Sequence, residues 1–167
     1  SETTFVVGYE KDAIIAETKS FDGTTHIAEQ KKAIGTSDAV KSALPSITKP
    51  CNVLVLYGDV PLIKQDTLEK LITETKDGLT ILSTIIDSPH GYGRVKKDKE
   101  GYAQAIVEEK DASDSEKQIK EVFTGILCCK KELLEEAINE VGNDNAAGEY
   151  YLTDIVSIIS SKGYKIK

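Results

Sequence analysis

The sequence predicts an α/β fold whose sheet is mostly parallel, with antiparallel hairpins added. Short apolar segments alternate with amphipathic ones through the first half of the chain, which is typical of parallel strands joined by helices. The second half adds a hairpin pattern. The chain has 167 residues, 40% of them hydrophobic. That length fits one domain, and that composition is sufficient for a core.

The predicted strands consist of β-branched, aliphatic and aromatic residues bounded by glycines or turn residues. They lie at 4–9, 24–29, 52–57, 79–86, 94–97, 102–108 and 122–128. Segment 52–57 is apolar nearly throughout, so we expect it to be buried on both faces. Gly101 lies in the turn between 94–97 and 102–108, where a positive φ is suitable.

The predicted helices show apolar residues at helical spacing. They lie near 13–16, from 36 to about 44, from 66, over 132–141 and over 152–162. Thr36, Ser37 and Asp38 offer side-chain caps for the second helix, and Pro45 ends it. A polar loop or helical turn covers 112–120, and a strand-like segment follows Gly163.

Composition excludes several classes of protein. The net charge of −7 argues against a nucleic-acid partner, because phosphates attract basic surfaces. The longest apolar runs, such as 53–56, are too short for membrane insertion, and residues 1–4 do not resemble a secretory signal. Cys128 and Cys129 are adjacent and Cys51 is isolated, which disfavours a disulfide or zinc framework and indicates a reducing, cytoplasmic setting.

Asp59 is the clearest candidate for chemistry. It follows the strand 52–57, and open α/β sheets bind ligands beyond the carboxyl ends of their strands. A single carboxylate there suits Mg²⁺, which completes its shell with phosphates and water. The alternative is that Asp59 caps a turn before Pro61.

Each of the other candidate segments is, on its own, weaker evidence for a functional site than Asp59. A loop from Gln30 to Thr36 enters a helix, where backbone amides can face an anion. The glycines of 91–94 allow a close approach of ligand to backbone. The strand 102–108 ends in two carboxylates, Glu108 and Glu109, and hydroxyls lie in 148–154. Each segment also has an ordinary structural explanation as a capped loop, a turn, a solvated face or packing. Serine-hydrolase and Walker motifs are absent from the sequence.

The order of these segments resembles the uridylyltransferase domain of bacterial N-acetylglucosamine-1-phosphate uridylyltransferases over essentially the whole chain. The matching segments are 30–36, Leu56-Tyr57-Gly58-Asp59-Val60-Pro61-Leu62, Gly91-Tyr92-Gly93-Arg94, Ile106-Val107-Glu108, Thr124-Gly125-Ile126 and Gly148-Glu149-Tyr150-Tyr151-Leu152-Thr153-Asp154. The resemblance implies a Rossmann-like nucleotidyltransferase fold. It also implies a cytoplasmic enzyme of cell-wall precursor biosynthesis that makes UDP-N-acetylglucosamine and pyrophosphate from UTP and N-acetylglucosamine 1-phosphate with Mg²⁺.

The same resemblance assigns roles to individual residues. Gln30, Gly35 and Thr36 would hold the uridine. Asp59 would be the catalytic metal ligand, beside Tyr57 and Gly58. The amino-sugar pocket would be lined by Gly93, Glu108, Tyr151 and Thr153.

The chain departs from the family pattern in three ways. Nothing before Thr4 matches the family's first strand and glycine-rich phosphate loop. The chain also stops before the family's second metal ligand and its acetyltransferase domain. We therefore expect 1–167 to be a single, incomplete nucleotidyltransferase domain that lacks a central strand between 4–9 and 52–57, from a parent that is a homo-oligomer. Finally, Phe123 replaces a family asparagine, and Ser37 and Asp38 replace glycine and histidine.

Phe123 has two interpretations. Because 124–126 keep the family spacing, we favour a side chain that enters the sugar pocket over one that packs in the core.

The function also has an alternative, in which the chain is a remnant or complementing fragment that binds a nucleotide sugar or a partner segment without turnover. A phospho-acceptor domain is disfavoured, since Gly8-Tyr9-Glu10 supplies no acidic pair. We expect 1–167 alone to have no measurable activity, because losing one phosphate-stabilising donor typically costs about 10²–10³ in rate.

Overall fold

The computed structural model describes residues 2–76 and 78–167. Its first part is a two-stranded parallel sheet of β1 (Glu2–Val7) and β2 (Thr24–Glu29), connected by helix α1 (Lys11–Thr18). The predicted strand at 24–29 and the short helix before it are confirmed. Helix α2 (Thr36–Ala43) follows, and a 3-10 turn that contains Pro45 ends it.

The second part is a larger sheet packed with helices. Its strands are β3 (Asn52–Val55), β4 (Leu79–Ile85), β5 (Arg94–Lys97), β6 (Ala103–Val107) and β7 (Glu121–Lys130). The helices are α3 (Gln65–Glu74), α4 (Lys131–Glu140) and α5 (Asp154–Ser161). The predicted elements are therefore confirmed in type and order, including the helical turn in 112–120, which is a 3-10 turn at Glu116–Gln118.

Strand β7 organises the larger sheet. It pairs with β3 through residues 127–130, with β4 along most of its length, and with β5 at Val122. Strands β5 and β6 form the predicted hairpin, and Gly101 in its turn has a φ of 90°. The strand-like C-terminal segment is represented by Ile166, which bridges to Ala103.

The sheet is mixed, as predicted, but parallel pairing is less extensive than expected. Among the described strand pairs, β1 and β2 are parallel, whereas the pairs of the larger sheet are antiparallel. The reason lies in β7. Strands β3 and β4 both run against it, so they run in the same direction as each other without pairing. The alternation of strands and helices indicates that direction but does not reveal the strand between them.

Hydrophobic side chains cover both faces of the larger sheet. One cluster contains Leu127 and Cys129 of β7 and the buried faces of α4 and α5. The other contains Ile126 and Cys128 of β7 with Leu71 of α3. The alternation of β7 side chains between these clusters follows from the period of two residues in a strand. Cys128 and Cys129 are free thiols, and burial raises the pKa of Cys129 to about 12.

The expectation that 52–57 is buried on both faces is wrong. Val53 and Val55 contact the first cluster and Leu54 contacts the second, yet all three are only half-buried. Within residues 2–76 and 78–167, β3 pairs only with β7, so its other edge and flank are exposed. Over this same described part of the chain, no helix combines the length and the apolar character needed to cross a bilayer.

Candidate functional site

Two segments far apart in sequence are joined by backbone hydrogen bonds. The Tyr150 N–H donates to the carbonyl of Ile34, and the Ser37 N–H donates to the carbonyl of Tyr150, both at 2.9 Å. The Leu152 N–H donates to Oγ1 of Thr36, also at 2.9 Å. These three bonds hold the loop before α2 against the segment that precedes α5. We call this pairing the loop clamp.

Gly35 is required at the centre of the loop clamp. Its φ is 138°, and a Cβ at this position would lie 2.3 Å from the carbonyl oxygen of Tyr150. The Gln30 side-chain amide donates to the carbonyl of Gly35 at 2.9 Å and to Oδ2 of Asp38 at 3.1 Å. The structure therefore brings Gln30, Gly35 and Thr36 together, as the sequence predicts.

The predicted side-chain caps of α2 are wrong. The helix begins at Thr36 with Gly35 in the cap position, and no side-chain hydrogen bond caps it. Thr36 accepts its hydrogen bond from Leu152, and Asp38 accepts one from Gln30. Both side chains thus bind distant or preceding partners that a local capping rule does not consider.

Tyr57 connects the end of β3 to the loop clamp. Its ring packs on Gly125, where a Cβ would lie 2.6 Å from Cδ2 of Tyr57, and Gly125 has a φ of 83°. Burial raises the pKa of Tyr57, an effect that the neighbouring Thr36 side chain partly offsets and that Glu108 adds to. The phenol is therefore neutral at physiological pH and able to donate a hydrogen bond.

Glu108 lies at the centre of the predicted sugar-binding residues. The Thr153 hydroxyl donates to Oε1 of Glu108 at 2.8 Å. Gly93 faces the same carboxylate, since a Cβ at Gly93 would lie 3.4 Å from Oε2 of Glu108 and 2.7 Å from Cγ2 of Ile106. The structure thus brings together Gly93, Glu108 and Thr153, which the sequence predicts on three separate segments.

Tyr151 is near four carboxylates, and three of them (Asp111, Glu149 and Asp154) are not among the site residues that the sequence predicts. Its pKa is raised by burial first and then by Asp111, Glu108, Glu149 and Asp154. The pKa of Asp154 is raised by burial, followed by Glu108 and Asp111. Asp154 closes a segment that the sequence singled out, so it was within reach. Asp111 gives no signal in the sequence beyond being one of several charged residues in a loop.

Phe123 lies in the core. It is 6% exposed and belongs to the same cluster as Leu127 and Cys129, on the same face of β7. Its N–H donates to the carbonyl of Gly93 at 2.9 Å. The structure therefore favours packing in the core, which the sequence left as the alternative, over intrusion into the sugar pocket. The correct spacing of 124–126 fixes the position of Phe123 along the strand but not the direction of its side chain.

Asp59 is exposed and lies outside the hydrogen-bonded cluster. It follows Gly58, and its charge contributes to the raised pKa of Tyr57. Across 2–76 and 78–167 it forms no ion pair, and no group of three or more ligating side chains could hold a metal ion alone. One free carboxylate fits Mg²⁺ only in the form in which phosphate oxygens and water supply the other ligands.

Comparisons with known proteins agree with the sequence resemblance. Residues 4–166 match the family described as nucleotidyl transferase. The bifunctional protein GlmU of Francisella philomiragia subsp. philomiragia is 48% identical over 153 residues, which cover 92% of this chain and 33% of that protein. GlmU of Marinobacter nauticus is 41% identical over 162 residues, covering 96% and 35%. The chain thus spans about a third of the length of the curated relatives it matches.

Solved structures support the fold alone. A UDP-glucose pyrophosphorylase complexed with UDP-glucose superposes with a TM-score of 0.69 at 14% identity, covering 99% of this chain and 71% of that one. HddC from Yersinia pseudotuberculosis superposes with a TM-score of 0.62 at 21% identity, covering 81% and 58%. The Rossmann-like α/β fold with a mixed sheet is confirmed by these likenesses.

Proposed function

Because the chain belongs to the nucleotidyl transferase family, we propose that it forms the nucleotide- and sugar-binding part of a uridylyltransferase. The reaction joins UTP to N-acetylglucosamine 1-phosphate and gives UDP-N-acetylglucosamine and pyrophosphate. The identity to GlmU proteins supports this choice of substrates. The observation that carries the proposal is the loop clamp, because it joins the predicted nucleotide residues to the predicted sugar residues in one wall.

The nucleotide half of this wall consists of Gln30, Gly35 and Thr36. Gln30 holds the loop by donating to the Gly35 carbonyl. The absence of a Cβ at Gly35 lets the loop approach Tyr150 closely, and it places this loop beside the segment that carries the sugar residues. We assign the uridine to this loop.

The sugar half consists of Gly93, Glu108, Tyr151 and Thr153. A carboxylate accepts hydrogen bonds from hydroxyl and amide groups, which an N-acetylated amino sugar provides. The Thr153 hydroxyl donates to Oε1 of Glu108 at 2.8 Å and orients the carboxylate, and Oε2 accepts no side-chain hydrogen bond within the described residues, so we assign it to the sugar. Tyr57 lies between the two halves and, as a neutral phenol, is a further donor.

Asp59 is the proposed metal ligand. Together with phosphate oxygens of the nucleotide it would hold Mg²⁺, which when bound neutralises charge on the phosphates. Asp59 makes no ion pair within the described part of the chain, so its charge is available for this role. Gly58 leaves the backbone before Asp59 free of side-chain obstruction.

The chain's contribution to the reaction is positional. A phosphate oxygen of N-acetylglucosamine 1-phosphate attacks the α-phosphorus of UTP in line, and the bond from that phosphorus to the bridging oxygen of the leaving pyrophosphate breaks. Such transfers need little covalent chemistry from the protein, so alignment and charge neutralisation set the rate. The loop clamp holds the sugar-binding residues beside the nucleotide-binding residues, and this arrangement aligns the two reactants.

Calorimetry with 1–167 in Mg²⁺ tests the proposal. We expect UDP-N-acetylglucosamine to bind about tenfold or more tightly than UDP, since the sugar adds at least one hydrogen bond to a charged group. Equal affinity for the two ligands, or no binding of either, contradicts the proposal. A pyrophosphate-release assay on the same sample distinguishes turnover from binding alone, the result expected of a non-catalytic fragment.

Asp59→Asn tests the metal role separately. The substitution removes the charge and keeps the size, so Mg²⁺-dependent affinity for UTP should fall at least about tenfold, since even outer-shell partners of metal sites typically cost that much. Asp22→Asn, on an exposed loop, is the matched control. If UTP affinity with Mg²⁺ is the same in Asp59→Asn and wild type, Asp59 is a turn residue only.

A further inference from the structure

Arg94 is a buried cation to which the proposed function assigns no role. It is the first residue of β5, and it is 2% exposed. Its Nη2 lies 2.5 Å from Oε2 of Glu109, and its Nη1 donates to the carbonyl of Tyr92. Within the described ranges, its Nε has no hydrogen-bond partner. Burying a guanidinium is costly unless it is paired, so Glu109 is the residue that makes this burial possible.

The two residues of this ion pair adjoin two proposed sugar-binding residues. Arg94 directly follows Gly93, and Glu109 directly follows Glu108. Arg94 is opposite Val107 of β6 and Val122 of β7, whereas Glu109 lies two residues past the end of β6. The ion pair therefore ties a residue beyond the hairpin to a strand that the sheet holds in place.

The ion pair is poorly suited to a role in stability alone. Its contact is an ion pair by distance without the alignment of a hydrogen bond, and one donor of the guanidinium is unused. Replacing a buried ion pair by apolar side chains of similar volume is often neutral or stabilising. The Arg94 guanidinium also holds the pKa of the Glu109 carboxyl below its usual range, so the pair stays charged in mildly acidic solution.

We infer that Arg94 is a positioning residue that, by holding Glu109, directs the carboxylate of Glu108 toward Gly93 and Thr153. Glu108 and Glu109 follow β6 in a turn, and their side chains have different partners, Thr153 for Glu108 and Arg94 for Glu109. Because the two residues are consecutive, holding Glu109 at Arg94 restricts the backbone that carries Glu108, whose Oε1 accepts from the Thr153 hydroxyl at 2.8 Å. Because Arg94 also binds the carbonyl of Tyr92, it fixes the loop before Gly93 at the same time.

This inference rests on the proposed function, since it gives Glu108 a sugar to bind. The test replaces the whole ion pair, in the double variant Arg94→Met, Glu109→Met. We expect its melting temperature to stay within a few degrees of wild type, whereas Glu109→Met alone melts lower because it leaves the buried Arg94 guanidinium without its carboxylate. The exposed pair Lys165–Glu100, replaced in the same way, is the matched control.

The decisive readout is the ratio of the dissociation constants of UDP and UDP-N-acetylglucosamine, measured by calorimetry. In the double variant we expect this ratio to fall about tenfold, the equivalent of one hydrogen bond to a charged group, while affinity for UDP is unchanged. The control pair should leave the ratio as in wild type. A folded double variant that keeps the wild-type ratio overturns the inference, because the ion pair would then be structural only.

Arg94→Lys keeps the charge but replaces the planar fork by a single ammonium. We expect Arg94→Lys to fold and to lower the ratio of the dissociation constants of UDP and UDP-N-acetylglucosamine, though by less than the double variant. A ratio equal to that of wild type counts against the inference.

If wild type itself binds both ligands equally, the proposed function fails, and the position of Glu108 is then read from ¹⁵N amide shifts. The Thr153 hydroxyl donates to Oε1 of Glu108 at 2.8 Å, and Thr153 is 45 residues from Glu108 along the chain. The Thr153 amide should shift in the double variant and not in the control. Unchanged shifts overturn the inference independently of any ligand.

Discussion

At the scale of single residues, Phe123 shows that motif spacing fixes the position of a residue along a strand, whereas packing determines the direction of its side chain. Asparagine at a position that is 6% exposed leaves a cavity and an amide without partners. We expect Phe123→Asn to lose about 3 kcal/mol of unfolding free energy, roughly 10 °C in melting temperature. Phe123→Leu, the control, should lose less. Calorimetry should show no gain in affinity for UDP-N-acetylglucosamine, and a thermally unchanged variant that binds the sugar nucleotide more tightly would restore the pocket interpretation.

Glu116 provides a residue-scale prediction for pH. The Lys96 ammonium and then the Ser113 hydroxyl and N–H lower the pKa of Glu116 to about 2 from an ordinary value of 4.5. A lowered pKa in the folded state means that this stabilisation is complete above about pH 4.5 and is lost as the pH falls toward 2. The difference in melting temperature between wild type and Glu116→Gln should therefore shrink across that window. Lys96→Gln should reproduce the effect, and a pH-independent difference would contradict it.

At the scale of elements, the loop clamp depends on Gly35. An alanine there meets the Tyr150 carbonyl at 2.3 Å and must adopt a φ of 138°. Strain of this kind costs about 1–3 kcal/mol before the collision is counted. We expect Gly35→Ala to lower both the melting temperature and the affinity for UDP. Gly148→Ala is the matched control, because Gly148 has a φ of 66° and open space around it. Equal effects of the two substitutions would show that the close approach at Gly35 is unimportant.

The elements also show where sequence reasoning is sufficient. Periodicity locates β2, β5 and the later helices closely, because period and turn residues are local properties. The alternation of strands and helices overestimates parallel pairing, since β7, about 70 residues after β3, is the strand that joins β3 to β4. The predicted capping role of Thr36 is wrong for the same reason, because its partner Leu152 is 116 residues away. The contacts of Glu108 with Thr153 and Gly93 follow from order along the chain only through the family resemblance.

At the scale of the whole molecule, the two sheets remain separate. In the described part of the chain, β1 pairs only with β2, and β3 pairs only with β7, so each presents a free edge. Apolar side chains are exposed on and beside the smaller sheet, at Val6, Ile14, Phe21 and Ile27. Free edges and exposed apolar groups favour association between chains. We expect sedimentation of 1–167 to show concentration-dependent self-association, and amides of β1 and β2 to exchange faster than those of β7. A monomer at all concentrations with uniform protection would contradict this.

The central claim is that residues 30–36 and 150–153 form one binding wall for both halves of a sugar nucleotide. Titration of ¹⁵N-labelled 1–167 with UDP-N-acetylglucosamine in Mg²⁺, followed by amide chemical shifts, tests it most directly. We predict that amides of 30–36, 150–153 and Glu108 shift together with one dissociation constant, whereas UDP shifts mainly those of 30–36. Saturating ligand that leaves the amides of 150–153 and Glu108 unchanged would contradict the claim.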